Sequence, residues 1–363
     1  MRQTTPLTPL EIRQARNTNP KLRDRDFAEQ FQISEAQLVA AYCGAGVTRI
    51  RADIEQVFPR LAALGEVMAL TRNRSCVIEK VGRYENFQAG KHASMVLTDD
   101  IDLRLFPRHF VSAFAVERES ETGTRRALQF FDAAGDAVHK IHLRPNSDLE
   151  AWHTLVADLA LEEQSDHLQV SARLPAEAAK GDPARAAQLR RDWASMTDTH
   201  QFRAMTSRLK MNRLGAYRLA GAPLTRALAP EAVDLALQAL AGSGTEVMIF
   251  VGNMGCIEIH GGPVQTLRAM GPWQNILDPG FDLHLRLDHI AEVWAVSKPT
   301  RQGKALSLEA FDADGGLILQ IFGRRGKSKD HRPAWEAILD SLPGLALPTG
   351  AKTPARSTLE EVE

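Results

Sequence analysis

Internal repetition restricts this fold more than any other feature. When GEVMALTRNRSCVIE, from Gly65, is laid over TEVMIFVGNMGCIEI, from Thr245, Glu66, Val67, Met68, Asn73 and Cys76 fall on Glu246, Val247, Met248, Asn253 and Cys256, 180 positions apart. The register runs on without a gap: Asp102-Leu103 meets Asp282-Leu283, His109 meets His289, Ala115-Val116 meets Ala295-Val296, and Phe131-Asp132-Ala133 meets Phe311-Asp312-Ala313. Trp152 and Trp335 are 183 apart, and a helical lead-in repeats at 175, with Phe27, Tyr42 and Gly46 over Phe202, Tyr217 and Gly221. Chance does not hold one register over about 70 residues, so the chain is two copies of one domain. We divide it into an N-terminal repeat (1–171), a linker (172–189) rich in Ala, Pro and charge, a C-terminal repeat (190–343) and a tail (344–363) expected to fray.

Each copy opens with helices, over 23–32 and 34–42 in the first and 198–210 and 212–219 in the second. Strands follow, and a helix around Trp152 or Trp335 closes the copy. FDLHLRL and KALSLEAF alternate with the period of half-buried antiparallel strands. Helices grouped apart from a run of strands predict an α+β fold, a tandem duplication of N-terminal helices and a large antiparallel sheet. No GxGxxG or P-loop follows a strand, which excludes the common nucleotide folds.

The 44 Lys+Arg against 45 Asp+Glu argue against a nucleic-acid partner. No apolar run of about 18 residues predicts membrane insertion, and the first residues lack a secretory apolar core. Cys43, Cys76 and Cys256 are too scattered for a disulfide framework or a metal knuckle, and read as reduced cytoplasmic thiols.

Duplication makes each copy a control for the other. His200, in Thr197-Asp198-Thr199-His200-Gln201-Phe202, falls on Arg25, so its imidazole belongs to the second copy alone. Asp198 and Gln201 resemble a capping box, which puts His200 in a first helical turn, where the helix dipole favours a neutral, metal-ready ring. A surface histidine in a capping turn is the competing reading. His284 and His289 are read as five apart on a strand, facing opposite ways, with His289 serving the fold because His109 matches it. No zinc motif, catalytic triad or carboxylate pair is present, and the basic run Arg324–Lys329 reads as a solvated loop or, failing that, an anion contact.

In TDTHQF, GNMGCIEIHGGPV, FDLHLRLDHIAEVWAVSKPT and LILQIFGRR, and in NPKLRDRDFAEQF, LGEVMALTRN and DIDLRLFPRHF of the first copy, the chain resembles the HemS/ChuS/PhuS family of bacterial cytoplasmic haem-utilisation proteins. The similarity covers nearly the whole length. It implies one haem b (iron protoporphyrin IX) in a cleft between helices and sheet of the C-terminal half. His200 aligns with the axial metal ligand and Arg104 with a distal arginine, catalytic only if the protein is an enzyme. Arg213, Phe250, Lys298, Gln320 and Arg325 align with other pocket residues, several of them cations for the propionates. Phe322 stands where relatives carry a pocket tyrosine, so that hydroxyl is lost.

The twins of Lys298, Gln320 and Phe322 are Arg118, Lys140 and His142. We therefore expect that only the second copy holds haem, with the first lending Arg104. The implied function is a cytoplasmic carrier that takes up imported haem for iron acquisition, its partners a haem importer or a downstream haem oxygenase. The alternative is a haem-degrading oxygenase. Retention of both His200 and Arg104 argues against a protein that has lost haem, and dimerisation stays open.

Overall fold

The computed structural model describes residues 7–121, 123–326 and 329–345. In the first copy the order is α1 (Pro9–Thr18), α2 (Asp24–Gln30), α3 (Glu35–Ala40), β1 (Val47–Ile50), α4 (Ile54–Val57) running into a 3-10 turn, β2 (Val67–Arg72), β3 (Cys76–Gly82), β4 (Phe87–Gln88), β5 (Ser94–Leu97), β6 (Asp102–Leu105), β7 (Ser112–Arg118), β8 (Arg125–Phe131), β9 (Ala137–Leu143) and α5 (Leu149–Leu159). The second copy repeats it with α6 (Ala186–Ala194), α7 (Gln201–Arg208), α8 (Arg213–Ala220), β10 (Thr225–Leu228), α9 (Ala232–Ala241), β11 (Val247–Gly252), β12 (Cys256–Gly262), β13 (Leu267–Met270), β14 (Trp273–Asp278), β15 (Phe281–Arg286), β16 (Glu292–Thr300), β17 (Gly303–Phe311), β18 (Leu317–Gly323) and α10 (Arg332–Ser341). The fold is α+β, as the repeat predicts.

The copies exchange strands. One nine-stranded antiparallel sheet runs β1-β7-β8-β9-β2-β3-β15-β14-β13, the other β10-β16-β17-β18-β11-β12-β6-β5-β4. Each copy thus sends three strands to complete the other's sheet, and the sequence repeat is not a spatial unit. At the crossing, Arg104 pairs with Ile257 and Asp102 with Ile259, while His284 pairs with Val77 and Asp282 with Glu79.

The cores follow the exchange. Cys76 and Ile78 pack with the α9 and α10 side chains Leu237 and Trp335, and Cys256 packs with Leu103, Leu105 and Trp152. One face of each sheet is buried in these clusters. On the opposite face of the second sheet, Trp193, Phe202 and Tyr217 from α6 to α8 cover Val296 and Phe311. Those helices stop short of β11, β12 and β6, where Met248, Phe250, Ile257 and Arg104 remain half-buried.

Several local expectations change. His289 lies in a 3-10 turn (Leu287–His289), not on the strand with His284, and hydrogen-bonds Ser75 Oγ at 3.0 Å. KALSLEAF is buried on both faces from Ser307 to Phe311, because helices cover one side and the core the other. Helix α9 interrupts what reads as a plain run of strands. The linker is partly ordered: Asn212 Nδ2 donates to Ala178 O at 2.8 Å, and α6 begins inside the linker at Ala186. Of the tail, Leu345 N donates to Ala227 O, and residues 346–363 lie outside the described residues.

Candidate functional site

Cross-strand register places the site residues that come from strands on one face, since paired residues in an antiparallel sheet point the same way. One row runs Asp102, Ile259, Phe250, Gln320, Glu309 and Trp294. Arg104 lies two residues from Asp102 on β6, Phe322 two from Gln320 on β18, and Lys298 four from Trp294 on β16, all on the same face. The exchange of strands is what puts Arg104 there. From β6 to Phe250 on β11 is two strand spacings, about 10 Å, within reach of an arginine. Arg104 Nη1 donates to Asp102 and to Leu103 O, which holds the guanidinium along the strand. The Phe250 and Phe322 rings meet edge-on at 5.4 Å and form an apolar wall.

Helix α7 stands at the rim of this face. His200 is its N-cap, 94% exposed, with Nδ1 2.7 Å from Asp198 Oδ1. The expected capping box is staggered by a residue: Asp198 Oδ1 accepts from the His200 backbone N–H at 2.8 Å, while Gln201 Oε1 accepts from Thr197 N. The reason is that the chain turns tightly on Asp198 before the helix begins. The His200 N–H and ring hold the Asp198 carboxyl below its usual range. With Nδ1 engaged by Asp198, Nε2 is the ring nitrogen left open to a metal, and the carboxylate orients the ring.

Thr197 O accepts from Arg301 N at 3.0 Å, and Arg325 Nη1 donates to Gln302 Oε1 at 3.1 Å. The His200 turn and Arg325 are therefore fixed to neighbouring residues of the β16–β17 hairpin, at the end of the sheet where Lys298 and Phe322 lie. In the basic run, Arg324 is committed to Glu246 and Gly261 O, and Lys327 and Ser328 lie outside the described residues. A cavity of about 440 Å³ opens at this end of the sheet on its α10 side, with Lys304, Leu306, Arg332, Trp335 and Glu336 in its wall besides Phe322 and Gln302.

Arg213 and Lys298 meet on a residue the sequence reading missed, Glu309. Its carboxylate is fully buried and accepts from Lys298 Nζ (2.7 Å), Ser307 Oγ (2.8 Å), Arg213 Nη1 (2.9 Å) and Tyr217 OH (2.8 Å). Burial alone would raise its pKa, but Lys298 and Arg213 bring it down to about 2. Burial lowers Lys298 to about 8 against the pull of Glu309. The Lys298 side chain is 4% exposed and its Nζ also meets Tyr217 OH, whereas Arg213 is 36% exposed. Phe202 of α7 sits against both cations, at 5.0 and 5.8 Å. The signal for Glu309 was available, because its twin is the uncharged Gln129.

The face therefore offers an apolar wall, an outward imidazole nitrogen, an arginine from the exchanged strand and cations at one end. That donor set fits a flat, apolar, iron-bearing dicarboxylate.

Comparison with known proteins agrees with this chemistry. A family profile described as "Haemin-degrading HemS.ChuX domain" matches residues 32–159 and 210–342. The hemin transport protein HmuS of Yersinia pestis is 36% identical over 330 residues, 91% of this chain and 95% of that protein. Holo-PhuS, a heme-binding protein from Pseudomonas aeruginosa, superposes with a TM-score of 0.88 at 40% identity, over 93% of this chain and all of that one. ChuS of Escherichia coli O157:H7, described as a heme degrading enzyme, gives 0.84 at 32% identity with the same coverage.

Proposed function

This chain belongs to the haemin-degrading HemS.ChuX domain family, and we propose that it binds one haem on the outward face of its second sheet and traffics it in the cytoplasm for iron acquisition. The observation that carries the reading is the exchange of β6, which brings Arg104 onto the face holding Phe250, Gln320 and Phe322. In this reading His200 Nε2 ligates the iron, and Asp198 fixes the tautomer and sharpens the nitrogen as a donor. Phe250 and Phe322 pack on the porphyrin. Arg104, from the exchanged strand, would reach the same ligand from the sheet. Arg213 and Arg325 meet the propionates, with Lys298 behind them. A single protein ligand on an exposed turn suits a carrier, because one bond must break for haem to leave.

Haemin titration tests this directly. Wild type is expected to give a Soret band that saturates at one equivalent, and His200→Ala to lose or shift it. An unchanged band in His200→Ala removes His200 as ligand.

The second reading, ring-opening with dioxygen and an electron donor, draws on the likeness to ChuS. Incubation of the haem complex with ascorbate and catalase separates the two. A tetrapyrrole product that forms despite catalase makes the protein an enzyme, whereas bleaching that catalase abolishes is peroxide damage and leaves the carrier.

A further inference from the structure

Glu309 has no partner role in the haem reading above, yet it is among the most completely bonded side chains near the cleft. It receives four donors from three elements: Arg213 and Tyr217 of α8, Lys298 of β16, and Ser307 of its own strand β17. The two cations it holds differ. Lys298 is sealed in, with Glu309 and Tyr217 occupying its ammonium. Arg213 makes both of its hydrogen bonds, among the described residues, through Nη1, and its side chain stays partly open. One edge of the guanidinium is thus anchored and the other is free to meet a ligand, the fork geometry arginine uses for carboxylates.

The other copy supplies an independent observation. At the positions of Arg213, Glu309 and Ser307 it has Leu38, Gln129 and Ala127, while Tyr217 is kept as Tyr42. The carboxylate and the guanidinium disappear together, as expected of residues that act as a pair. Gln129, lacking these donors, leaves its buried Oε1 without a partner among the described residues.

We propose that Glu309 is a positioning residue for ligand carboxylates: anchored by the buried Lys298, it holds Arg213 by one edge so that the other is presented to a haem propionate. This rests on the haem reading. It assigns Arg213 the direct contact and Lys298 the part of a buried counter-ion.

The test is a double-mutant cycle read with two probes, haemin and its dimethyl ester, which share ring and iron but differ in the carboxylates. Dissociation constants are measured for wild type, Glu309→Gln, Arg213→Gln and the double variant. Freeing Arg213 makes the ligand bear the cost of ordering it, so Glu309→Gln is expected to lower the preference for haemin over the ester roughly tenfold. The same change in the Arg213→Gln background is expected to do nothing. An unchanged or raised preference in Glu309→Gln, or an effect that persists without Arg213, overturns the proposal. If Glu309→Gln does not fold, Glu309→Gln combined with Lys298→Met removes both buried charges and replaces it in the cycle. Failure of wild type to bind either probe would instead remove the haem reading itself.

Discussion

At the scale of the residue, Asp198 acts on the site without belonging to the wall or the cations. Its Oδ1 takes both the backbone N–H and the ring Nδ1 of His200. Asp198→Ala leaves the ring free to turn and to change tautomer, so haemin affinity should fall roughly tenfold or more, with little change in melting temperature because the site is exposed. A second residue concerns stability. Glu258 is fully buried, and neither carboxylate oxygen has a hydrogen-bond partner among the described residues. Burial, only partly offset by the nearby Lys80 ammonium, raises its pKa from 4.5 to about 8. The folded chain thus keeps a proton that the unfolded chain releases above 4.5. This group favours folding most below pH 4.5, and its contribution is lost as pH rises toward 8, at roughly 1.4 kcal/mol per unit. His139 and His260, both lowered to about 3 by burial, act the other way, losing stability as pH falls below 6.5. The difference between Glu258→Gln and wild type isolates the carboxyl. In urea unfolding the variant should gain on wild type steadily from pH 5 to pH 8. A difference independent of pH would mean that Glu258 is ionised when folded.

At the scale of the element, the turn kept in both copies turns out to be a clasp. Asn253 Nδ2 donates to Arg72 O and Val138 O of the other copy at 2.9 Å, while Asn73 Nδ2 donates to Gly252 O at 3.2 Å and Ile318 O at 2.8 Å. Each Oδ1 closes its own turn, on Gly255 and Cys256 or on Ser75 and Cys76. Asn253→Ala strands carbonyls at the junction of the sheets and should cost about 1–3 kcal/mol, read by urea unfolding, and Asn73→Ala a similar amount. The sequence made these positions visible as repeats, because identical local turns need identical side chains. The pairing of strands was not visible. Asp102-Leu103-Arg104-Leu105 and Asp282-Leu283-His284-Leu285 differ at one position, and alternation fixes which face a side chain takes, not which neighbour a strand joins. Either strand could have closed its own sheet. For the same reason His200 could be singled out by contrast with Arg25, whereas the burial of Lys298 against Glu309 depends on contacts between α8, β16 and β17 that no local pattern encodes.

At the scale of the whole molecule, strand exchange makes the two copies halves of one folding unit. A fragment of residues 190–343 keeps β13 to β15 with no sheet to join and loses β4 to β6, leaving β12 as a bare edge. It also loses Leu103 and Leu105, both fully buried, and with them the strand that carries Arg104. The 1–171 fragment has the mirror deficit, with β3 exposed where β15 should lie. Exposed apolar edges of this kind pair with whatever strand is near. Each fragment alone is therefore expected to aggregate or to unfold without a cooperative transition. Expressed together, they should pair one to one, because the missing strands of each are supplied by the other; the natural linker merely raises the effective concentration of that pairing. Size-exclusion chromatography of the co-expressed fragments, with haemin spectra of the eluted complex, checks this. A heterodimer with the spectrum of the intact chain is the expected outcome. A 190–343 fragment that is monomeric, melts cooperatively and reproduces that spectrum would show that β6 and Arg104 are dispensable to the cleft, and would return the duplication to two independent domains.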